Sequence, residues 1–187
     1  MNVMSLDLEL NQPSNSIIQI GIVIGSTESG AILEQKYWNI FIDEEINPYI
    51  TTLTGITQDM VNNGIFISDA YKEMTELYNK HNCSLNMVTW GGGDHRALQQ
   101  QLKKFCDIND ISDIKWEYGH REFDVKTLFL SFALAQGMKT RSGLAKSMTR
   151  VGLNFEGTKH WAVDDAHNTF RLLIFLLKKL PKNVIIK

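Results

Sequence analysis

The N-terminal segment constrains the fold most, because it alternates apolar residues with a polar row that includes two acids. From Met4 to Leu10, every second residue is Met or Leu, and the residues between them are Ser, Asp and Glu. A period of two is typical of a β-strand with two different faces. Asp7 and Glu9 therefore lie side by side on one face of the first predicted strand.

Downstream of this strand, the pattern changes from that of strands to that of helices. Residues 17–25 are rich in β-branched residues and predict a second strand, which a turn at 26–30 connects to a third strand at 31–42. Beyond these strands, apolar residues at helical spacing alternate with short apolar runs. The predicted helices span 68–81, 124–136, 142–151 and 165–180, with another starting at Asp94, and the predicted strands span 85–90 and 114–118. Ser68 and Asp124 are the predicted N-caps of their helices.

This order of elements predicts a single domain over residues 1–187. Three strands joined by hairpins, followed by strands that alternate with helices, describe an α/β fold. We expect a mixed central sheet flanked by helices, in which the three N-terminal strands are antiparallel and the later strands are parallel.

The composition excludes several classes of protein. Hydrophobic residues make up 43% of the chain and charged residues 21%, which is typical of a globular protein in water. No apolar run approaches the roughly 18 residues of a membrane span, and no basic region precedes an apolar core at the N-terminus. We therefore expect a cytoplasmic protein with no membrane partner. Cys83 and Cys106 are the only cysteines, so neither a disulfide framework nor a cysteine zinc site is expected.

Charge is distributed unevenly along the chain. Residues 1–114 hold 6 Lys and Arg against 15 Asp and Glu, a net charge of −9, whereas residues 115–187 hold 13 against 6, a net charge of +7. The basic half permits nucleic-acid binding if it lines a groove. The basic residues that could contact phosphates are Lys139, Arg141, Lys146, Arg150 and Lys159. A solvated basic helix face is the alternative interpretation.

Asp7 and Glu9 need an explanation, because unpaired carboxylates are costly to bury in a central strand. A divalent cation would offset both charges, and Mg²⁺ and Mn²⁺ prefer hard oxygen ligands. The alternative is an edge strand with a solvated acidic face.

Two later segments place further polar residues where a site could form. Asp94 follows a predicted strand and three glycines, at the carboxyl end where ligands gather in α/β sheets, although Asp there also suits a helix N-cap. His160 precedes Asp164 and Asp165 at the start of the last, largely apolar helix. Complementing the helix dipole would explain one of these two acids. Asn168 lies three residues after Asp165, on the same helical face, and could support a site from behind.

The order of these residues resembles that of the DEDDh group of DnaQ-like 3′–5′ exonucleases, which have an RNase H-like fold. Asp7 and Glu9 match the first motif, Asp94 matches the second, and His160 with Asp165 matches the third. The segment LTGIT at 53–57 resembles the loop near the bound 3′ end.

Two stretches are similar to one branch of this group, which contains the enhanced-RNAi and histone-mRNA 3′-exonucleases and the KapD-like proteins. These stretches are LTGITQDMV at 53–61 and GTKHWAVDDAHN at 157–168. DNA-proofreading members often have Thr-Thr-Gly after the first-motif Glu, whereas Leu10, Asn11 and Gln12 follow it here.

The resemblance implies a metal-dependent 3′–5′ exonuclease. Two divalent ions, Mg²⁺ or Mn²⁺, would be held by Asp7, Glu9, Asp94 and Asp165, and His160 would be the general base. The substrate would be the 3′ end of single-stranded nucleic acid, with RNA favoured over DNA, and the products would be nucleoside 5′-monophosphates. The expected substrate-binding residues are Leu10, Leu53, Thr54, Ile56 and Asn168.

Other interpretations remain open. The same fold could serve as a non-catalytic nucleic-acid-binding module, or as a proofreading subunit of a DNA polymerase. The second role requires a polymerase-binding segment, for which residues 181–187 offer only a short tail. His120, Glu122 and Asp124 also have the composition of a metal site, but Asp124 is better explained as a helix N-cap.

Overall fold

The sheet has five strands and is mixed, as the sequence predicts. The computed structural model describes residues 1–112 and 114–180, so the tail considered for polymerase binding lies outside the described residues. The sheet has the order β3-β2-β1-β4-β5. The strands are β1 (Asn2–Leu10), β2 (Ile17–Ser26), β3 (Ile32–Asn39), β4 (Met87–Thr89) and β5 (Glu122–Asp124). β1, β2 and β3 are antiparallel, whereas β4 is parallel to β1 and β5 is parallel to β4.

Helices cover both faces of this sheet. They are α1 (Pro48–Thr54), α2 (Gln58–Asn62), α3 (Ile67–Lys80), α4 (Asp94–Asn109), α5 (Val125–Ala135), α6 (Leu144–Arg150) and α7 (Ala162–Lys179). Met4 and Leu6 of β1 pack in one apolar cluster with α3 and α4. Val3, on the opposite face, packs in a second cluster with α5, α6 and α7. None of the described helices combines the length and apolar character that crossing a membrane requires.

Several predicted boundaries were wrong. α3 begins one residue earlier than predicted, and Phe66 occupies the N-cap position without a side-chain hydrogen bond, so Ser68 is not the cap. α7 begins at Ala162 rather than at Asp165. Gly93, and not Asp94, occupies the N-cap position of α4. Asp124 is confirmed as the N-cap of α5, because its side chain accepts hydrogen bonds from the amides of Lys126 and Thr127.

The strand predicted at 114–118 is absent, and the last strand lies at Glu122–Asp124 instead. The side chain of Tyr71 bonds backbone groups of the 114–118 segment that a neighbouring strand would otherwise bond. Tyr71 Oη donates to the carbonyl of Lys115 and accepts from the amide of Glu117, both at 2.9 Å. The aromatic residues of this segment therefore pack into the first cluster while the backbone remains satisfied.

Helix α7 lies directly on β2 at a glycine. Gly21 is the cross-strand partner of Asp7, and a Cβ atom at Gly21 would collide with the backbone of Ala162 and Val163. Only glycine therefore allows the start of α7 to approach the sheet beside Asp7.

Replacing Gly21 with alanine tests this close approach. We expect Gly21→Ala to lower the free energy of unfolding by about 1–3 kcal/mol, the usual cost of overpacking. Denaturant unfolding monitored by circular dichroism measures the change. Gly143→Ala is the matched control, because Gly143 has φ −77° and no described atom lies within 4 Å of the position that an alanine Cβ would take there. Equal stability of the two variants would contradict the proposed close contact.

Candidate active site

Asp7 and Glu9 lie on the face of β1 that α7 covers, as their alternation with the buried leucines requires. Glu9, His160 and Asp165 bring potential ligand atoms within 4.8 Å of one another. His160 belongs to the loop before α7, and Asp165 belongs to the first turn of that helix. Residues from the beginning and the end of the chain therefore meet at one place.

Asp94 joins the same cluster from a third part of the chain. It begins α4, just beyond the carboxyl end of β4, which runs parallel to β1. Its carboxylate raises the pKa of both Asp7 and Glu9, so it lies close enough to repel them. The structure thus brings Glu9, Asp165 and His160 together, with Asp7 on the wall of the same pocket, and leaves Asp94 close enough to repel Asp7 and Glu9.

Burial and neighbouring negative charge raise the pKa of all four carboxyl groups. Burial raises the pKa of Asp7 well above its usual range, and Asp94, Asp165 and Glu9 raise it further. Burial, Asp165 and Asp94 raise the pKa of Glu9 to about 8. Burial and the carboxylate of Glu122 raise the pKa of Asp94 to about 7. Burial also raises the pKa of Asp165, while a backbone hydrogen bond from His160 opposes that rise.

The donor set fits a hard divalent cation. Four clustered carboxylates supply oxygen ligands of the kind that Mg²⁺ and Mn²⁺ prefer. Their raised pKa values show that the cluster lacks compensating positive charge from the protein. The lowest-energy way to keep all four ionised at neutral pH is to place cations among them.

A pocket of about 490 Å³ opens onto the cluster. Its walls combine acids, two lysines, the histidine and an aromatic ring, and include Asp7, Glu9, Trp90, Lys146, Lys159, His160 and Asp165. Trp90 also packs against Phe129, with ring centroids 6.4 Å apart, so one part of its ring system belongs to the second apolar cluster.

The loop before α7 holds His160 in an unusual conformation. His160 has φ +61°, in the left-handed region that non-glycine residues adopt rarely. Its backbone amide donates to Asp165 Oδ2 at 3.1 Å. This hydrogen bond fixes the loop to the first turn of α7 and keeps the imidazole near the acids.

A buried glutamine, which the sequence interpretation missed, anchors the start of α7. Gln19 is the cross-strand partner of Glu9 and is fully buried. Its Oε1 accepts from the amide of Ala162 at 2.9 Å, and its Nε2 donates to Asn39 Oδ1 at 2.9 Å. The signal in the sequence is a single polar residue in the otherwise apolar strand IIQIGIVIG.

Asn168 lies behind the site and does not bond the clustered acids. Its Nδ2 donates to the carbonyls of Glu156 and Asp164, both at 2.7 Å, and its Oδ1 accepts from the amide of Glu156 at 3.1 Å. Asn168 therefore connects the loop before α7 to the helix. This role agrees with stabilising the position of the site residues rather than with contacting the substrate.

The expected substrate-binding residues of the LTGIT segment differ in accessibility. Ile56 is fully buried in a third apolar cluster, and Thr54 is buried with its hydroxyl bonded to the carbonyl of Ile50. Direct contact of these two side chains with a substrate is therefore at odds with their packing. Leu53 is 38% exposed, whereas Leu10 packs partly buried against the first cluster.

Only part of the basic set predicted to contact phosphates lines the pocket. Lys146 and Lys159 line the pocket. Arg150 instead stabilises the loop before α6, because its guanidinium donates to the carbonyl of Arg141 and to Ser142 Oγ. The structure therefore leaves Lys146 and Lys159 as the basic side chains on the pocket wall.

Comparisons with known proteins identify the family of this chain and several of its relatives. The model of the RNase_T family, described as exonucleases, matches residues 5–173. The chain is 30% identical over 118 residues to a probable 3′–5′ exonuclease, KapD, of Bacillus subtilis, covering 63% of this chain and 51% of KapD. It is 24% identical over 174 residues to human 3′–5′ exoribonuclease 1, covering 88% of this chain and 47% of that protein. The chain thus spans about half the length of these curated relatives.

The fold is also similar to a solved structure, the nuclease domain of 3′hExo, a DEDDh family member, bound to rAMP. The TM-score is 0.75 at 17% sequence identity, and the match covers 95% of this chain and 92% of that chain. At this identity the likeness establishes the fold, and it confirms the RNase H-like architecture expected from the sequence.

The raised pKa values predict how stability depends on pH. A carboxyl group whose pKa is higher in the folded state binds more protons when folded, so stability falls as pH rises from its ordinary pKa through the folded value. For Glu9 this window extends from 4.5 to about 8. We expect the metal-free protein to lose stability between about pH 4.5 and pH 8, and Asp7→Asn to reduce that loss by removing one repelling charge.

Denaturant unfolding of both proteins at several pH values measures this difference. At the alkaline end, we add Mn²⁺ at about 100 times its dissociation constant for the wild type. This concentration should raise the free energy of unfolding of the wild type by about 2.7 kcal/mol and that of Asp7→Asn by less. Parallel pH profiles for the two proteins would contradict the repulsion among the acids.

Proposed function

The chain belongs to the RNase_T exonuclease family, and we propose that it removes nucleotides from the 3′ end of single-stranded nucleic acid by metal-dependent hydrolysis. The family match confirms the resemblance to the DEDDh DnaQ-like exonucleases. The observation that carries the proposal is the meeting of Asp7, Glu9 and Asp165 with His160 around one pocket, with Asp94 near enough to repel Asp7 and Glu9. No member of the five-residue set is missing.

We infer that residues 1–187 form one exonuclease domain, that RNA is favoured over DNA, and that the products are nucleoside 5′-monophosphates. Support for RNA comes from the human relative, which is an exoribonuclease, and from the structural neighbour, which is bound to rAMP. The cytoplasmic location expected from the composition belongs to the same proposal.

The four acids are the groups that would hold divalent cations, and we propose two ions, Mg²⁺ or Mn²⁺. Bound cations of this kind supply positive charge that stabilises the charge developing on the phosphate during displacement. The protein itself places little positive charge beside the acids: Lys159 lowers the pKa of Asp165 but is not among the causes of the shifts at Asp7, Glu9 and Asp94.

His160 is the proposed general base. Its imidazole is exposed at the pocket and lies within 4.8 Å of carboxylate oxygens of Glu9 and Asp165. A ring nitrogen of His160 takes a proton from the attacking water. Lys146 and Lys159 contribute positive charge on the wall, where they bind phosphates of the strand.

Digestion of matched RNA and DNA oligonucleotides, single- and double-stranded and labelled at the 5′ end, tests the function. With Mg²⁺ or Mn²⁺ we expect stepwise shortening from the 3′ end, fastest on single-stranded RNA, and none in the presence of a chelator. His160→Ala should lower kcat by about 10²–10⁴-fold, the usual contribution of a general base. Asp7→Asn should abolish shortening. The variants should retain the wild-type circular dichroism spectrum.

An unshortened substrate, or shortening that survives Asp7→Asn, would overturn the proposal. Metal-independent binding of oligonucleotides without any cleavage would instead favour a non-catalytic module on the same fold.

The two pocket lysines give a separate prediction about substrate binding. We expect Lys146→Ala and Lys159→Ala each to raise KM for a single-stranded oligonucleotide and to reduce the slope of log affinity against log salt by about 0.7, because one phosphate contact is lost. Lys139→Ala is the control, since Lys139 is exposed and does not line the pocket. An unchanged salt slope in both pocket variants would assign phosphate binding elsewhere.

A further inference from the structure

The turn that carries Asp94 has little conformational preference of its own. Gly91, Gly92 and Gly93 have φ values of +97°, +72° and +104°, all in the region that favours glycine. Three successive glycines have many accessible conformations, so they do not by themselves fix the residue that follows. Asp94 nevertheless begins α4 just beyond the carboxyl end of β4, beside the central strand β1 that fixes Asp7 and Glu9.

The carboxylate of Glu122 accepts hydrogen bonds from this turn on both sides of Asp94. Glu122 Oε2 accepts from the amide of Gly93 at 2.8 Å, and Oε1 accepts from the amide of His95 at 3.2 Å. The side chain of His95 adds a contact from Nδ1 to the same Oε1. The Glu122 and His95 side chains are only 10% and 11% exposed. The residues immediately before and after Asp94 are therefore bound to one buried carboxylate.

The strand that carries Glu122 also fastens the beginning of the turn. Asp124 lies two residues after Glu122, on the same face of β5, and its Oδ1 accepts from the amide of Gly91 at 3.0 Å. A Cβ atom at Gly92 would lie 2.9 Å from Glu122 Oε2, so the backbone of the turn packs closely against the Glu122 carboxylate. Parallel pairing of β5 with β4 aligns Glu122 and Asp124 with the strand that leads into the turn.

Glu122 is an unexpected residue at this place, because it sets a second carboxylate beside the turn that carries Asp94. A second carboxylate beside a metal ligand is unfavourable unless its own hydrogen bonds are well satisfied. The donors from Gly93 and His95 satisfy it. The arrangement is thus the one expected of a group that orients a ligand without being one.

We propose that Glu122, together with His95, is a positioning residue that holds Asp94 in place for cation binding. This inference rests on the proposed function, since it assigns Asp94 to the metal site of that function. It also explains why Glu122 and Asp124 share a strand: one fastens the end of the glycine turn and the other fastens its beginning.

Titration calorimetry of the full chain with Mn²⁺ alone tests the role. Loss of an outer partner of a metal ligand typically costs 10–100-fold in metal affinity, and we expect a loss of that size for Glu122→Ala. Glu122→Gln, which keeps the length of the side chain and one acceptor oxygen, should lose less than Asp94→Asn. His95→Asn should retain more affinity than His95→Ala, because its amide nitrogen can replace the Nδ1 donor. The exposed Glu76→Ala is the control and should bind Mn²⁺ like the wild type.

A kinetic measurement complements the binding data. Positioning of Asp94 predicts that Glu122→Ala lowers kcat for a single-stranded oligonucleotide more than it raises KM, since Glu122 does not line the pocket. Wild-type Mn²⁺ affinity in a folded Glu122→Ala protein would overturn the proposal. Loss in Glu122→Gln as complete as in Asp94→Asn would also overturn it, because Glu122 would then be a ligand.

The two proposals fail in different ways. If the wild type binds Mn²⁺ with the expected dependence on Glu122 but shortens no oligonucleotide, the proposed function is wrong and the positioning role stands. If the wild type binds no Mn²⁺, the positioning role is wrong, and oligonucleotide digestion then decides the function by itself. Thermal unfolding without metal identifies any variant that has lost its fold, and Glu122→Gln and His95→Asn are the variants designed to keep it.

Discussion

Repulsion among four partly buried carboxylates is the interaction on which the rest of the structure depends. Burial and neighbouring negative charge raise the pKa of Asp7, Glu9 and Asp94, so the site is unfavourable for the metal-free chain at neutral pH. The remainder of the fold has to supply the free energy that keeps these groups together. It does so with the central strand β1, which has apolar clusters on both sides and cannot move away from the repelling charges.

Each acid is held by a different device. Asp7 and Glu9 are fixed by the register of β1 with β2, in which their partners are Gly21 and Gln19. The same two partners place α7, since Gly21 allows its close approach and Gln19 binds its first amide. Gly21 and Gln19, the β2 partners of Asp7 and Glu9, therefore connect the first acids of the chain to the helix that carries Asp165. Asp94 has no such neighbour and depends on a flexible turn held by β5.

This division also explains what the sequence can predict. The alternation from Met4 to Leu10 and the apolar character of α7 are local, so the face of Asp7 and Glu9 and the burial of the last helix can be predicted from residue order. The roles of Glu122 and Gln19 depend on contacts over 27 and 143 residues, which no local pattern contains. The burial of Ile56 and the replacement of ladder bonds at 114–118 by Tyr71 are likewise tertiary effects. Motif order located the acids, whereas the groups that orient them required the three-dimensional structure.

The pocket combines opposite electrostatic demands, and in the proposed function this combination couples the binding of cations to the binding of an anionic strand. An anionic strand is repelled by four acids but attracted by Lys146 and Lys159 on the wall. Cations that bind the acids remove the repulsion, so cation and strand each raise the affinity of the other by the same factor. The two lysines are exposed, so salt screens their attraction for the strand. In the proposed function, tight binding of a phosphate therefore depends on the acids being placed to hold cations, and for Asp94 the proposed placement depends on the hydrogen bonds that Glu122 accepts from Gly93 and His95.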